Sequence, residues 1–156
     1  MKIQLWALGK AHEQYVLAGT DEFTGRLNKY FPAQWKIFQP KGAGTMSEAE
    51  LKKKEAELIL QNLGKDDWLV VLDERGKLID SQKLAAFIQS RANESVKQLV
   101  FLIGGAYGLD QRLIERANFS WSLSPLTFPH QLVRLILSEQ LYRACSILKN
   151  EKYHHS

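Results

Sequence analysis

Three segments of this chain carry residue types that can do chemistry. Gly104-Gly105-Ala106-Tyr107-Gly108 follows an apolar run. Glycine lets the backbone take positive φ and lets a ligand approach with no Cβ in the way, so the segment suits a tight strand-to-helix turn or the wall of a binding site. No Gly-Lys-Ser/Thr follows, so it is not a phosphate loop, and its glycine spacing is not the dinucleotide fingerprint. Leu123-Ser124-Pro125-Leu126-Thr127-Phe128-Pro129-His130 is apolar, with small hydroxyls and two prolines. A loop so stiffened can clasp a flat heterocycle through its backbone groups, or it can lie buried beneath the next helix. The third segment is the tail from Lys149 to Ser156, with Tyr153, His154 and His155. Two adjacent histidines without a carboxylate or cysteine at ligand spacing are a weak metal signal, and a free tail is the plain alternative.

The elements that must position these segments alternate between strand and helix. Ile3 to Leu8 reads as a strand, His12 to Tyr30 as a helix and Trp35 to Phe38 as a second strand. Ser47 starts a further helix, and Glu50 three residues on completes a capping box; Gly64 stops that helix. Trp68 to Leu72 and Leu99 to Ile103 are continuous apolar runs, as strands covered on both faces would be. Asp73 to Lys77 reads as a turn after the first of them. Asp80-Ser81 opens another helix, Leu109 to Ala117 reads as a short one, and Trp121 to Leu123 as the last strand. His130 to Leu148 is the longest helix, with a wide apolar face that includes Val133, Leu137, Leu141, Ala144 and Leu148. That width suggests a partner helix and hence a homodimer. Glu139 and Arg143 stand four apart, as a helix ion pair does. Cys145 lies among apolar neighbours at helical spacing and belongs in the core.

Strands joined by helices of this length make βαβ units: an α/β fold with a mainly parallel sheet and helices on both faces. In such sheets the ligand sits beyond the carboxyl ends of the strands. The loops after Leu72, Ile103 and Leu123 therefore gather at one edge.

Composition bounds the function. The chain has 156 residues, one domain's worth, with 45% hydrophobic and 24% charged residues. Four Trp, seven Phe and five Tyr exclude disorder as the main state. No apolar run reaches the ~20 residues that span a bilayer, and the first residues lack the long apolar stretch of a signal peptide. One cysteine permits no intrachain disulfide, so a reducing cytoplasm is the expected location. The formal charge is +4. Residues 1–72 carry ten basic and nine acidic side chains, and residues 73–156 carry eleven and eight. This mild basicity suits an anionic partner such as nucleic acid, and equally a plain basic enzyme.

Taken together, several segments resemble the RlmH family: Leu72-Asp73, Phe101 to Gly108, Trp121 to His130, Val133-Arg134, Glu139 to Ala144 and Tyr153-His154. That family comprises bacterial 23S rRNA pseudouridine methyltransferases of the SPOUT class. The resemblance covers the whole chain and is densest after residue 68. It implies one SPOUT domain over residues 1–156, with the C-terminal part from about residue 68 threaded as a trefoil (α/β) knot. It implies a cytoplasmic homodimer with the active site at the subunit interface. S-adenosylmethionine would be held by Leu72, Gly104, Gly105 and the stretch Leu123, Ser124, Pro125, Leu126, Thr127, Phe128, with no metal. The implied substrate is 23S rRNA in the assembled ribosome, methylated at ring nitrogen 3 of a pseudouridine. That imide is protonated at neutral pH, so its proton must be removed or the developing charge stabilised while the reacting atoms are held in line. Arg143, Tyr153 and His154 would form the substrate-side cluster, with His154, and after it His130, as the base. Two rival readings stand beside this one: a non-catalytic ribosome-binding or assembly factor on the same fold, and a flavodoxin-like enzyme holding a phosphorylated small molecule at the glycine turn.

Overall fold

The computed structural model describes residues 1–155; the last residue of the expected tail, Ser156, lies outside them. Five strands form one sheet: β1 (Lys2–Leu8), β2 (Ala33–Phe38), β3 (Trp68–Leu78), β4 (Gln98–Ile103) and β5 (Phe119–Ser122). Their spatial order is β2-β1-β4-β3-β5, and every pair is parallel. The helices are α1 (Gln14–Leu27), α2 (Glu48–Asn62), α3 (Ser81–Asn93), α4 (Gln111–Arg116) and α5 (His130–Leu148), with one 3-10 turn at Ala43–Thr45.

Two cores flank the sheet because side chains alternate along each strand. Ile3, Leu5 and Ala7 of β1, with Leu99, Phe101 and Ile103 of β4, point to one face and pack against Leu27 of α1, Leu84 and Ile88 of α3, and Leu137, Leu141 and Ala144 of α5. Trp6, Leu8, Val100 and Leu102 point to the other and meet Ala56 and Ile59 of α2 and Leu113 of α4. α5 lies between α1 and α3. Cys145 is buried in the first core, and burial pushes its thiol up to about 12, so it is inert packing. Ser47 Oγ accepts from the Glu50 amide at 3.2 Å, one half of the expected capping box.

The structure corrects the expected elements in two places. Residues 73–77 are not simply a turn that ends the strand. Leu72 and Lys77 both pair with Trp121 of β5, so residues 73–76 bulge out and the chain then returns to the sheet as far as Leu78. Gly76 makes the return possible: a Cβ there would lie 2.7 Å from the Ser120 and Trp121 backbone. The tail is also not free. Asn150 takes the left-handed conformation (φ 55°) after α5; its amide donates to the Ile147 carbonyl, and the Glu151 amide to the Ser146 carbonyl. This is a Schellman end with asparagine in the place glycine usually takes. It turns the chain back along α5.

Gly76→Ala forces a methyl into backbone it cannot displace cheaply. It should lower unfolding free energy by ~1–3 kcal/mol in urea titration with the fold retained. Unchanged stability would mean that the bulge relaxes freely.

Candidate active site

Because all strands run in parallel, the bulge of β3 after Leu72 and the loops after β4 and β5 emerge at one edge. They enclose a cleft of about 440 Å³, within the range of small-molecule sites. Of the nine residues expected to hold the cofactor, eight line it: Leu72, Gly104, Gly105, Leu123, Ser124, Leu126, Thr127 and Phe128. Pro125 is exposed and not part of the lining. The first turn of α5 closes one side through His130 and Val133.

The glycine segment is both things its composition allowed. Gly108 (φ 81°) donates its amide to the Gly105 carbonyl at 3.1 Å, which makes a tight turn, and that turn is cleft wall. The loop after β5 is held by its hydroxyls: Ser122 Oγ donates to the Ser124 carbonyl, and Ser124 Oγ accepts from the Leu126 amide at 3.0 Å.

Behind the glycine turn stands Glu55 of α2, 4% exposed. A Cβ on Gly105 would lie 2.6 Å from a Glu55 carboxylate oxygen, so the acid occupies the space that a side chain would need. Burial pushes the Glu55 carboxyl up to about 7, with Lys52 opposing. Nothing in the sequence pattern marks Glu55, which sits in an alternating charged run that reads as a solvated face.

Arg143, Tyr153 and His154 are brought together, by the turn at Asn150. Arg143 donates from NH1 to His154 Nδ1 at 3.1 Å and from Nε to Glu139 Oε1 at 2.9 Å. The Tyr153 hydroxyl donates to the same Glu139 oxygen at 3.0 Å, and the Arg143 guanidinium lies 4.7 Å from the Tyr153 ring centroid. Tyr142 packs edge-on against Tyr153 at 4.6 Å. Burial, then the bond to Glu139, raises the Tyr153 phenol above its ordinary range, so it acts as a donor. The expected ion pair of Glu139 with Arg143 is thus the hub of this cluster. None of the three residues lines the cleft of its own chain. Arg143 follows His130 by 13 residues on the same helix, which puts it ~20 Å along the axis.

A fourth loop packs against the start of α5 beside the cleft wall, and sequence reasoning missed it. Residues 9–13, after β1, are strapped to the start of α5. Gln131 Oε1 accepts from the Glu13 amide at 2.9 Å, and Gln131 Nε2 donates to the Ala11 carbonyl. Beside that strap Arg134, with no exposed surface, faces His12 and His130. The one available signal was the spacing of His130 and Arg134, one turn apart at a helix start. Among the described residues no helix is long and apolar enough to cross a membrane. No group of three or more His, Cys, Asp or Glu gathers among the described residues.

Glu55 gives the site a pH-dependent stability. Its folded-state pKa is raised above the ordinary carboxylate value, so its contribution is full below that value and is lost as pH rises through about 7. Glu55→Gln keeps the shape and cannot ionise. In urea titrations the variant should match the native protein near pH 4 and exceed it by about 3 kcal/mol at pH 8. Equal stabilities at both pH values would mean that the carboxylate is solvated.

The chain matches the family model described as "Predicted SPOUT methyltransferase" over residues 1–154. It is 44% identical to the ribosomal RNA large subunit methyltransferase H of Cytophaga hutchinsonii over 156 residues, covering 99% of this chain and all of that one. It is 41% identical to the protein of the same name from Parabacteroides distasonis, covering 99% of each. Among solved structures, its fold is similar to that of a probable methylase family protein from Haemophilus influenzae Rd KW20. There the TM-score is 0.56 at 14% identity, covering 99% of this chain and 70% of that one. A probable methyltransferase from Bordetella pertussis Tohama I gives 0.55 at 11%, covering 92% and 95%. Sequence similarity along the whole chain and a shared α/β architecture agree: this protein belongs to the SPOUT methyltransferase family, among the relatives named ribosomal RNA large subunit methyltransferase H.

Proposed function

We propose that this protein methylates ring nitrogen 3 of a pseudouridine in 23S rRNA of the assembled ribosome, with S-adenosylmethionine as donor. In this reading it works in the cytoplasm as a homodimer, and the chain from about residue 68 is threaded as the knot of its class. The observation that carries the reading is the convergence of the β3 bulge and the loops after β4 and β5 on one cleft, in a chain whose family match runs from residue 1 to 154.

The cleft suits that donor. Leu72, Leu123, Leu126 and Phe128 supply apolar wall, while the glycine turn offers backbone without a Cβ. Asp73 and Glu74 stand at the rim, where carboxylates favour a cation. Trp121 is also part of the wall, and its buried indole N–H has no partner among the described residues. When bound, S-adenosylmethionine supplies a methyl group already activated on a sulfonium, so the chemistry asks for no metal.

The remaining task is to hold the acceptor base and manage its imide proton. Arg143, Tyr153 and His154 are the substrate-side residues in this reading. A guanidinium can bind a phosphate or a developing imidate, and a phenol can stack on a base or hydrogen-bond to it. Their ~20 Å separation from the cleft of the same chain is what a dimer resolves: the tail of one copy meets the cleft of the other. The rival reading, a non-catalytic ribosome-binding factor, requires binding indifferent to S-adenosylmethionine and no methyl incorporation.

The test is incubation of purified protein with labelled S-adenosylmethionine and ribosomes lacking the modification, followed by mass mapping of the RNA. Label on a 23S pseudouridine is expected; label elsewhere, or none, rejects the reading. Gly105→Val should abolish cofactor binding in calorimetry, because its side chain meets Glu55. Arg143→Ala should spare cofactor binding and lower turnover about 100-fold or more, the scale for loss of one charge-stabilising donor. The reverse pattern would exchange the two assigned roles.

A further inference from the structure

Arg134 is an unusual cation. It has no exposed surface, and no carboxylate lies within ion-pair distance of it among the described residues. Its NH1 donates to His12 Nδ1 at 3.3 Å and its NH2 to His130 Nε2 at 3.3 Å, while Nε has no partner. A guanidinium does not give up its proton in a protein, so the two imidazoles that face it must each present a lone pair.

That requirement bears on the tautomers. His130 Nε2 also lies 3.1 Å from the Leu8 carbonyl oxygen, to which it could donate. It cannot both donate there and accept from Arg134. A buried cation left with a single hydrogen bond costs more than a carbonyl left with none. His130 Nε2 therefore accepts, and the His130 proton sits on Nδ1. By the same reasoning His12 carries its proton on Nε2. His130 also lines the proposed cofactor cleft, one side chain away from the buried charge.

We propose that Arg134 holds His130 as a neutral imidazole protonated on Nδ1, and that this N–H stabilises the negative charge that develops on the acceptor imide. The proposal rests on the reading of the protein as a pseudouridine methyltransferase. In the step concerned, the bond from ring nitrogen 3 to hydrogen breaks, the electron pair stays on nitrogen, and the proton leaves to water. The charge spreads onto the flanking carbonyl oxygens, and the His130 Nδ1–H donates to one of them. His130 is the catalytic residue here, and Arg134 is a positioning residue that acts through it. With no carboxylate in ion-pair contact and only the more distant field of Glu13, the guanidinium gains a close counter-charge when the imide ionises, which is differential stabilisation of the reacting state.

The surrounding charges are consistent with a neutral His130. Burial first, then Arg134 on α5, lowers its pKa from the ordinary histidine value, against the Leu8 carbonyl of β1. Burial and Arg134 likewise lower His12, against Asp21 of α1. Glu13, at the start of α1, is the carboxylate whose field is felt at Arg134.

Nitrogen-15 spectra of histidine-labelled protein read the tautomers without any assay of activity. At pH 7 His130 should be neutral with Nδ1 protonated, and His12 neutral with Nε2 protonated. In Arg134→Met, His130 should switch to the Nε2–H form, freed to donate to the Leu8 carbonyl. Arg134→Lys, which keeps the charge, serves if the methionine variant does not fold, and should hold the native tautomer. In methyl transfer, His130→Phe should lose about 100-fold in turnover while still binding S-adenosylmethionine, and His130→Asn, which keeps an N–H donor, should recover part of it. An imidazolium or an Nε2–H form of His130 in the native protein overturns the proposal. So does full turnover in His130→Phe, and so does loss of cofactor binding there, which would make His130 wall and nothing more. If native protein methylates no pseudouridine, the catalytic half falls with the proposed function, and the spectrum still decides whether Arg134 sets the tautomer.

Discussion

Parallel pairing of every strand is the constraint on which the rest depends. A parallel sheet sends each strand's exit to the same edge, and a mixed sheet would scatter the exits to opposite edges. The pairing is enforced by burial: Val70 and Val71 of β3 and Phe101 and Leu102 of β4 are fully covered and lie in register. A slip of one residue would exchange the two cores, putting Phe101 against α2 and Leu102 against α5. The cleft is thus a consequence of the core. Its loops need no affinity for one another, because the sheet delivers them to one place.

α5 plays a second organising part. Its first turn closes the cleft through His130 and Val133, and its far end carries Arg143 and receives the returning tail. One rigid helix therefore sets the distance between the cleft wall and the Glu139–Arg143–Tyr153 hub at ~20 Å. Such a spacing keeps the cleft and the hub of one chain apart. The proposed dimer turns that separation into complementarity, since two antiparallel copies of the helix would place each hub near the other cleft. The Schellman end matters for the same reason: with Asn150 in a left-handed turn, the tail is docked rather than loose, and Tyr153 reaches Glu139.

Much of this was legible from residue order alone, and the reason is local. β3 and β4 announce themselves as unbroken apolar runs, and the glycine and proline segments mark where they exit. The three cleft loops follow from those two facts and the parallel rule. The hub was legible only through resemblance to a family, because a tail without periodicity carries no signal of where it docks. The return of β3 after the bulge was not legible, since Asp73 to Lys77 has the composition of any turn and the pairing that pulls Lys77 back lies on Trp121. His12 and Arg134 are 122 positions apart, and their contact exists only once β1 and α5 are neighbours. Glu55 escaped notice because charged residues in a run read as solvated, which is right for Lys53 and Lys54 and wrong for the one that faces Gly105.

Two buried ionisable groups flank the cleft on opposite faces of the sheet, and they handle their burial differently. Glu55 can shed its charge by keeping a proton, and its carboxyl, pushed up to about 7, does so across much of the neutral range. Arg134 has no such escape. Its cost must be met by acceptors, and the structure supplies two imidazole nitrogens where a carboxylate would have been more stabilising. A protein selected for stability alone would place an acid there or replace the arginine with an apolar side chain of similar volume. Retention of a bare cation one side chain away from a ligand cleft is the kind of local cost that tends to mark function. A carboxylate in that position would cancel the field that Arg134 projects through His130. The same absence that weakens the fold is what leaves the charge free to act on whatever anion forms in the cleft.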